Sequence, residues 1–182
     1  MNVLDKGGST RFRCENLNEQ KERGAIVILI KVMFVCHGNI CRSPMAEFVL
    51  KDMIEKRGLG KSFLIDSSAT STEEIGNPVH AGTKNKLREF GISTEGKRAV
   101  QLSKKDYDKY DYLIGMDQIN IKNMRKILGG DPNNKVFRLW DFSKNARDIA
   151  DPWYTGDFDR TYNDIVDGCE SFCNMLNSKK IM

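Results

Sequence analysis

The stretch VMFVCHGNICRSPMAEF, residues 32–48, joins an apolar, β-branched run to a helix-like segment through a very short loop. The run reads as a buried strand, and the segment carries helix punctuation: Ser43 as cap, Pro44 at the first helical position and Gly58 as the stop. A strand that feeds straight into a helix must cross over to a parallel neighbour, which leaves few architectures open. The same order recurs downstream. SFLIDSSAT reads as a second strand, and NPVHAGTKNKLREFG as a helix that Asn77 caps, Pro78 opens and Gly91 closes. YDYLIGMD is a third short strand, DQINIKNMRKILGG a helix ending at a Gly-Gly pair, and KVFRLWDF a fourth strand. In the last helix Phe158, Tyr162, Ile165, Val166, Cys169, Phe172, Cys173 and Leu176 share one face, so its two cysteines read as packing residues. The expected fold is a single three-layer α/β domain. Its centre is a four-stranded, mostly parallel, Rossmann-like sheet with helices on both faces, and its ligand site lies at the carboxyl ends of the strands.

Composition narrows the class further. With 182 residues, 40% hydrophobic and 30% charged, the chain can bury one core and not comfortably two. The net charge of +4 is spread along the chain without the dense basic runs that track a nucleic-acid backbone, so no nucleic-acid partner is expected, while an anionic substrate fits. Five cysteines at irregular spacing point to free thiols in a reducing compartment, the cytoplasm. AIVILIKVMFV is interrupted by Lys31 and falls far short of the ~20 residues of a membrane span, so it reads as strand. Residues 1–29 are polar and aperiodic and are expected to form a poorly ordered extension, with the domain occupying residues 30–182.

The loop itself carries the chemistry. His37, Gly38, Asn39, Ile40 and Cys41 are all that separate Cys36 from Arg42. So short a connection must curl, turning successive backbone N–H groups inward into an anion nest that the helix dipole reinforces. Gly38 and Asn39 are the residue types that most readily take positive φ and are expected to reverse the chain there. Arg42 can grip two oxygens of a tetrahedral oxyanion with its planar fork. Thiols facing such donors have pKa values of roughly 3.5 to 7.5 instead of about 8.5, so Cys36 reads as a nucleophile at neutral pH. Attack by a thiolate on a phosphoester gives a phosphocysteine, and the leaving oxygen then needs a general acid from elsewhere in the chain.

VCHGNICRSPMAE together with DPWYTGDF at residues 151–158 closely resembles the low-molecular-weight protein tyrosine phosphatases. IDSSATS, EIGNP, YDYLIGMD and the final helix follow in the family's order, so the resemblance runs from about residue 31 to 177. It implies metal-independent, cofactor-free hydrolysis of phosphotyrosine on proteins, with phosphate or vanadate as active-site ligands. By the same match Cys36 is the nucleophile, Arg42 the phosphate clamp, Ser43 the support of the thiolate and Asp151 the general acid. The phosphate-binding loop, after the first strand, is His37 to Ser43, with Asn39 shaping it. Cys41 is implied as the redox partner that closes a reversible disulfide on Cys36. Trp153 and Tyr154 supply one aromatic wall of the substrate cleft.

This chain departs from the family's pattern in two places. Glu73 stands before EIGNP where an aromatic residue is frequent, and a carboxylate there favours basic over acidic phosphopeptides. Gly96 falls where many eukaryotic relatives carry a histidine that holds the loop asparagine, so Ser67 and backbone are expected to hold Asn39 instead.

Cys36 alone could be a small buried strand residue, and Asp151-Pro152 alone an ordinary turn. Cys36, His37 and Cys41 lack the further ligands that tetrahedral zinc requires, since His80, the second histidine, lies in a predicted helix. Arginine phosphatases resemble the chain but usually carry threonine at the place of Ile40, and lack the aromatic pair. The thioredoxin-coupled arsenate reductases need cysteines in mid-chain, and none occurs between Cys41 and Cys169. A phosphate-binding module without catalysis would need neither the thiol nor the acid.

Overall fold

The computed structural model describes residues 29–182, so the expected extension, apart from Leu29, and Cys14 within it lie outside the described residues. Four parallel strands form the sheet in the order β2-β1-β3-β4, with β1 Ile30–Cys36, β2 Phe63–Ala69, β3 Tyr112–Gly115 and β4 Val136–Arg138. The helices are α1 Arg42–Lys56, α2 Ala81–Arg88, α3 Asp106–Lys109, α4 Gln118–Leu128, α5 Pro152–Thr155 and α6 Phe158–Ser178. The expected α/β class is what the backbone forms, and every strand pair is parallel.

Side-chain alternation along β1 explains the three layers. Ile30, Val32, Phe34 and Cys36 face a core built with α1 and α6, where Met45, Leu50, Ile165, Cys169, Phe172 and Cys173 are buried. Met33 and Val35 face the other way, onto Leu113, Ile121, Met124 and Tyr107. Phe172 stacks edge-on against Tyr112 and tilted against Phe142, closing the larger core under α6. Truncating such an aromatic typically costs about 3–5 kcal/mol.

Three local expectations need correction. Helix α1 begins at Arg42 with Cys41 in the capping position, and Ser43 lies inside the first turn because its hydroxyl is drawn to Cys36. Asn77 and Pro78 do not start a helix: Pro78 forms an antiparallel bridge with Arg98, and α2 starts after His80, whose Nδ1 accepts the N–H of Gly82. The fourth strand is only three residues long, because Leu139–Phe142 turn into a 3-10 helix that inserts Leu139 beside Gly168 of α6.

Candidate active site

β1 stops at Cys36, and the chain curls through residues 37–41 into α1. Asn39 adopts φ +57°, whereas Gly38 does not take positive φ as expected. Glycine serves Gly38 sterically instead, since a Cβ there would lie 3.0 Å from Glu74 Cγ. Cys36 Sγ sits at the bottom of the curl, almost fully buried. The Asn39 N–H donates to it at 3.3 Å, and Ser43 Oγ lies 3.0 Å away. Donors converging on a sulfur can hold negative charge there.

A buried polar chain stands behind this curl. Asn39 Nδ2 donates to Ser43 Oγ at 2.9 Å and to Ser67 Oγ at 2.8 Å, while its Oδ1 accepts from the Val100 N–H at 3.1 Å. The Ser67 hydroxyl in turn donates to Glu47 Oε2 at 2.6 Å. Glu47 is buried on α1 and is paired with Lys97 at 2.7 Å and Lys51 at 2.5 Å. Lys97 also donates to the Ser67 carbonyl at 3.1 Å. Glu47 and Lys97 were invisible as site residues: they are ordinary charges in a helix and a loop until the fold brings them together. Lys97 follows Gly96 directly, so the side-chain charge near the family's histidine position is supplied one residue later.

Arg42 is the second buried anchor, 3% exposed. Its Nη1 donates to Asp117 Oδ2 at 2.6 Å and to the Ile149 carbonyl at 3.0 Å, and its Nη2 donates to Asp151 Oδ2 at 2.5 Å. Burial alone would lower its pKa, but Cys36, Asp151 and Asp117 outweigh that and hold the guanidinium above its usual value. Nε remains buried without a partner among the described residues. Asp117 is a further residue that sequence reading missed. It caps α4, accepting the Asn120 N–H at 2.6 Å, and only tertiary structure shows its other oxygen on Arg42.

The cleft above the thiol has a volume of about 130 Å³ and is lined by Cys36, His37, Ile40, Cys41, Asp151 and the rim residues. Trp153 and Tyr154 stand exposed on α5, and Asp151 caps that helix by accepting the Trp153 N–H at 3.1 Å. His80 packs edge-on against Trp153 and stacks on Phe158. Across the mouth Glu73 Oε2 lies 3.1 Å from His37 Nε2, and Glu74, also unforeseen, lines the cleft beside it. Cys41 is buried next to Cys36, and its thiol is pushed up to about 12 by burial first and by the charges of Cys36 and Asp151 next. Among the described residues no group of three or more His, Cys, Asp or Glu side chains could hold a metal ion.

A thiol, an arginine and an aspartate gathered at the carboxyl end of a parallel sheet define a cysteine-dependent, phosphate-loop α/β protein. The comparisons give its family. Residues 31–181 match the family model described as low molecular weight phosphotyrosine protein phosphatase, and the chain belongs to that family. It is 41% identical to the low molecular weight protein-tyrosine-phosphatase YfkJ of Bacillus subtilis over 154 residues, 84% of this chain and 99% of that protein. The crystal structure of YfkJ superposes with a TM-score of 0.80, covering 87% of this chain and 99% of that one at 41% identity. SP-PTP, a low molecular weight protein tyrosine phosphatase from Streptococcus pyogenes, gives a TM-score of 0.73 at 38% identity, covering 81% and 93%. A Drosophila arginine phosphatase is more distant, at 29% identity with a TM-score of 0.73 and coverage of 80% and 97%. The chain is thus a protein-tyrosine-phosphatase of the low-molecular-weight, cysteine-dependent class.

Proposed function

We propose that the chain hydrolyses phosphotyrosine on proteins in two steps, with Cys36, Arg42 and Asp151 as the reacting groups. Cys36 Sγ attacks phosphorus and forms an S–P bond as the P–O bond to the tyrosine ring breaks, and Asp151 gives its proton to the departing phenoxide. Water then attacks the phosphocysteine, Asp151 takes that proton back, and phosphate leaves as the thiolate is restored. The observation that carries this reading is one small cleft lined by a buried thiol and a carboxylate, with that carboxylate bonded to the buried guanidinium of Arg42, whose Nε has no partner among the described residues. A phosphoryl group in the loop takes over Arg42 Nε and Nη2, which frees Asp151 from its present contact to face the leaving oxygen. Ser43 Oγ, now shared between Cys36 Sγ and the Ser68 carbonyl at 3.4 Å, turns to the sulfur when the thiolate forms or departs.

The substrate is read from the cleft. Its floor is the buried Cys36 and its wall is aromatic, so a ring reaching the thiol stacks on Trp153 or Tyr154, gaining about 0.5–1.5 kcal/mol beyond area burial. Phosphoserine has no ring and forgoes that stacking. Glu73 and Glu74 at the mouth favour basic residues beside the phosphotyrosine. Cys41 serves as redox partner: peroxide oxidises Cys36 to a sulfenic acid, the Cys41 thiol displaces water from it, and an external thiol reverses the disulfide. The odd number and irregular spacing of the five cysteines support a reducing, cytoplasmic setting. Among the described residues no helix is long and apolar enough to cross a membrane.

The test is phosphate release from phosphotyrosine, phosphoarginine and phosphoserine peptides by reduced protein, beside the Cys36→Ser variant. Phosphotyrosine should be cleaved best and Cys36→Ser should bind vanadate without turnover. A variant that still turns over would refute the nucleophile, and preference for phosphoarginine would refute the substrate.

A further inference from the structure

A concavity of about 540 Å³ lies outside the catalytic cleft and shares no lining residue with it. Its walls are Lys84 and Arg88 of α2 and the loop of residues 91–98, with Pro78 at the edge. Four lining side chains are cationic, Lys84, Arg88, Lys97 and Arg98, and one, Glu95, is anionic. Lys97 is turned inward to Glu47 and the Ser67 carbonyl. Of the other three, Arg88 donates to the neutral Asn85 Oδ1 at 3.0 Å, and none has a carboxylate partner among the described residues. Arg88 lies in the last turn of α2, where the helix dipole welcomes a cation, but that account does not extend to Arg98 in the facing loop.

The loop that carries these charges is pinned in shape. Arg98 pairs with Pro78 across an antiparallel bridge, the Lys97 N–H donates to the Thr94 carbonyl at 3.2 Å, and Gly96 holds φ +78°. A ligand-sized hollow with cations on facing walls is a site for an anion, and Ser93 and Thr94 line it too.

We propose that this hollow is a second oxyanion site, taking a small polyphosphorylated molecule, and that its occupancy is felt at the phosphate loop through Lys97. The ammonium of Lys97 is the link. Phosphate oxygens in the hollow compete with Glu47 for it, and Glu47 steadies Ser67, which holds Asn39 over the thiol.

The experiment is a titration of the full chain with inorganic tripolyphosphate, read by backbone amide NMR and by steady-state kinetics. NMR keeps the two sites apart whatever the catalytic roles of the loop residues. Saturable shifts at residues 93–98 that disappear in Arg88→Glu/Arg98→Glu, while those at residues 37–43 persist and show the variant folded, support the site. Shifts confined to residues 37–43, or shifts at 93–98 that survive the charge reversal, overturn it. In kinetics the wild type should change kcat as well as KM, and the double variant KM alone, as simple competition at the thiol requires. A kcat unmoved while the hollow is filled overturns the coupling through Lys97.

Discussion

The floor of the active site and its rim are built on opposite physical terms. On the floor Asn39, Ser43 and Ser67 are at most 1% exposed, Arg42 and Glu47 each 3%, and the buried network fixes their orientation. At the rim Trp153 is 57% and Tyr154 84% exposed, and the side chains of His37 and Glu73 are mostly in water. Buried polar groups have few alternative partners, so they hold donors where charge will develop; exposed groups can move and tolerate different ligands. The difference teaches that in this chain the reaction is a property of the fold's interior, whereas choice of substrate is a property of a few surface side chains.

Asp151 spans both regions, and its loss should break the division most severely. Asp151→Ala removes the proton donor, so kcat for phosphotyrosine should fall by about 10²–10⁴-fold, within the usual range for a general acid. An aryl phosphate whose leaving group needs no proton should be slowed much less. Equal slowing of the two esters would assign Asp151 a positioning task alone.

Asp117 tests the floor. Replacing it by Asn keeps its shape but leaves Arg42 one carboxylate short, so the guanidinium fork is anchored by Asp151 as its one remaining charged partner. We expect kcat to drop by roughly tenfold or more, with a smaller change in KM, since about 1.4 kcal/mol of lost transition-state stabilisation is one decade. A pure KM effect would move Asp117 from reaction to ground-state binding. At the rim the split reverses: Trp153→Ala should raise KM for aryl phosphates by about 2- to 13-fold, the equivalent of 0.5–1.5 kcal/mol, and leave kcat nearly unchanged. If kcat collapsed instead, the rim would belong to the catalytic interior.

What could be read from the sequence follows the same division by distance along the chain. The loop from Cys36 to Arg42 is local, its geometry dictated by a strand end and a helix start seven residues apart or fewer, and so it was legible. The layered sheet was legible because β1 is apolar on both faces from Val32 onward and α6 repeats one buried face. Asp117, Glu47 and Lys97 were not, because each meets its partner only through packing, Asp117 at 75 positions from Arg42, Glu47 at 20 from Ser67 and Lys97 at 50 from Glu47, and each looks like an ordinary solvated charge in its own segment. Pro78 misled for a related reason: a proline suits a helix start, but here pairing with Arg98 claimed it for an extended edge. Only the fold tells which of two locally acceptable roles wins.

Cys41 offers the smallest and finest test, because it lies on the floor yet takes no part in the proposed turnover. Its thiol is pushed up to about 12 from an ordinary 9.0, so it stays protonated across the neutral range. Cys41→Ser should therefore leave kcat within about a factor of two, while removing the reductant-restored recovery after peroxide. Disulfide closure needs the Cys41 thiolate, whose fraction rises about tenfold per pH unit below its pKa, so closure after a quenched pulse of peroxide should quicken as pH is raised from neutral toward 9. Mass spectrometry of the Cys36–Cys41 linkage against time measures it. A closure rate flat over that range would mean that the oxidised loop rearranges and relieves the burial that now keeps Cys41 protonated.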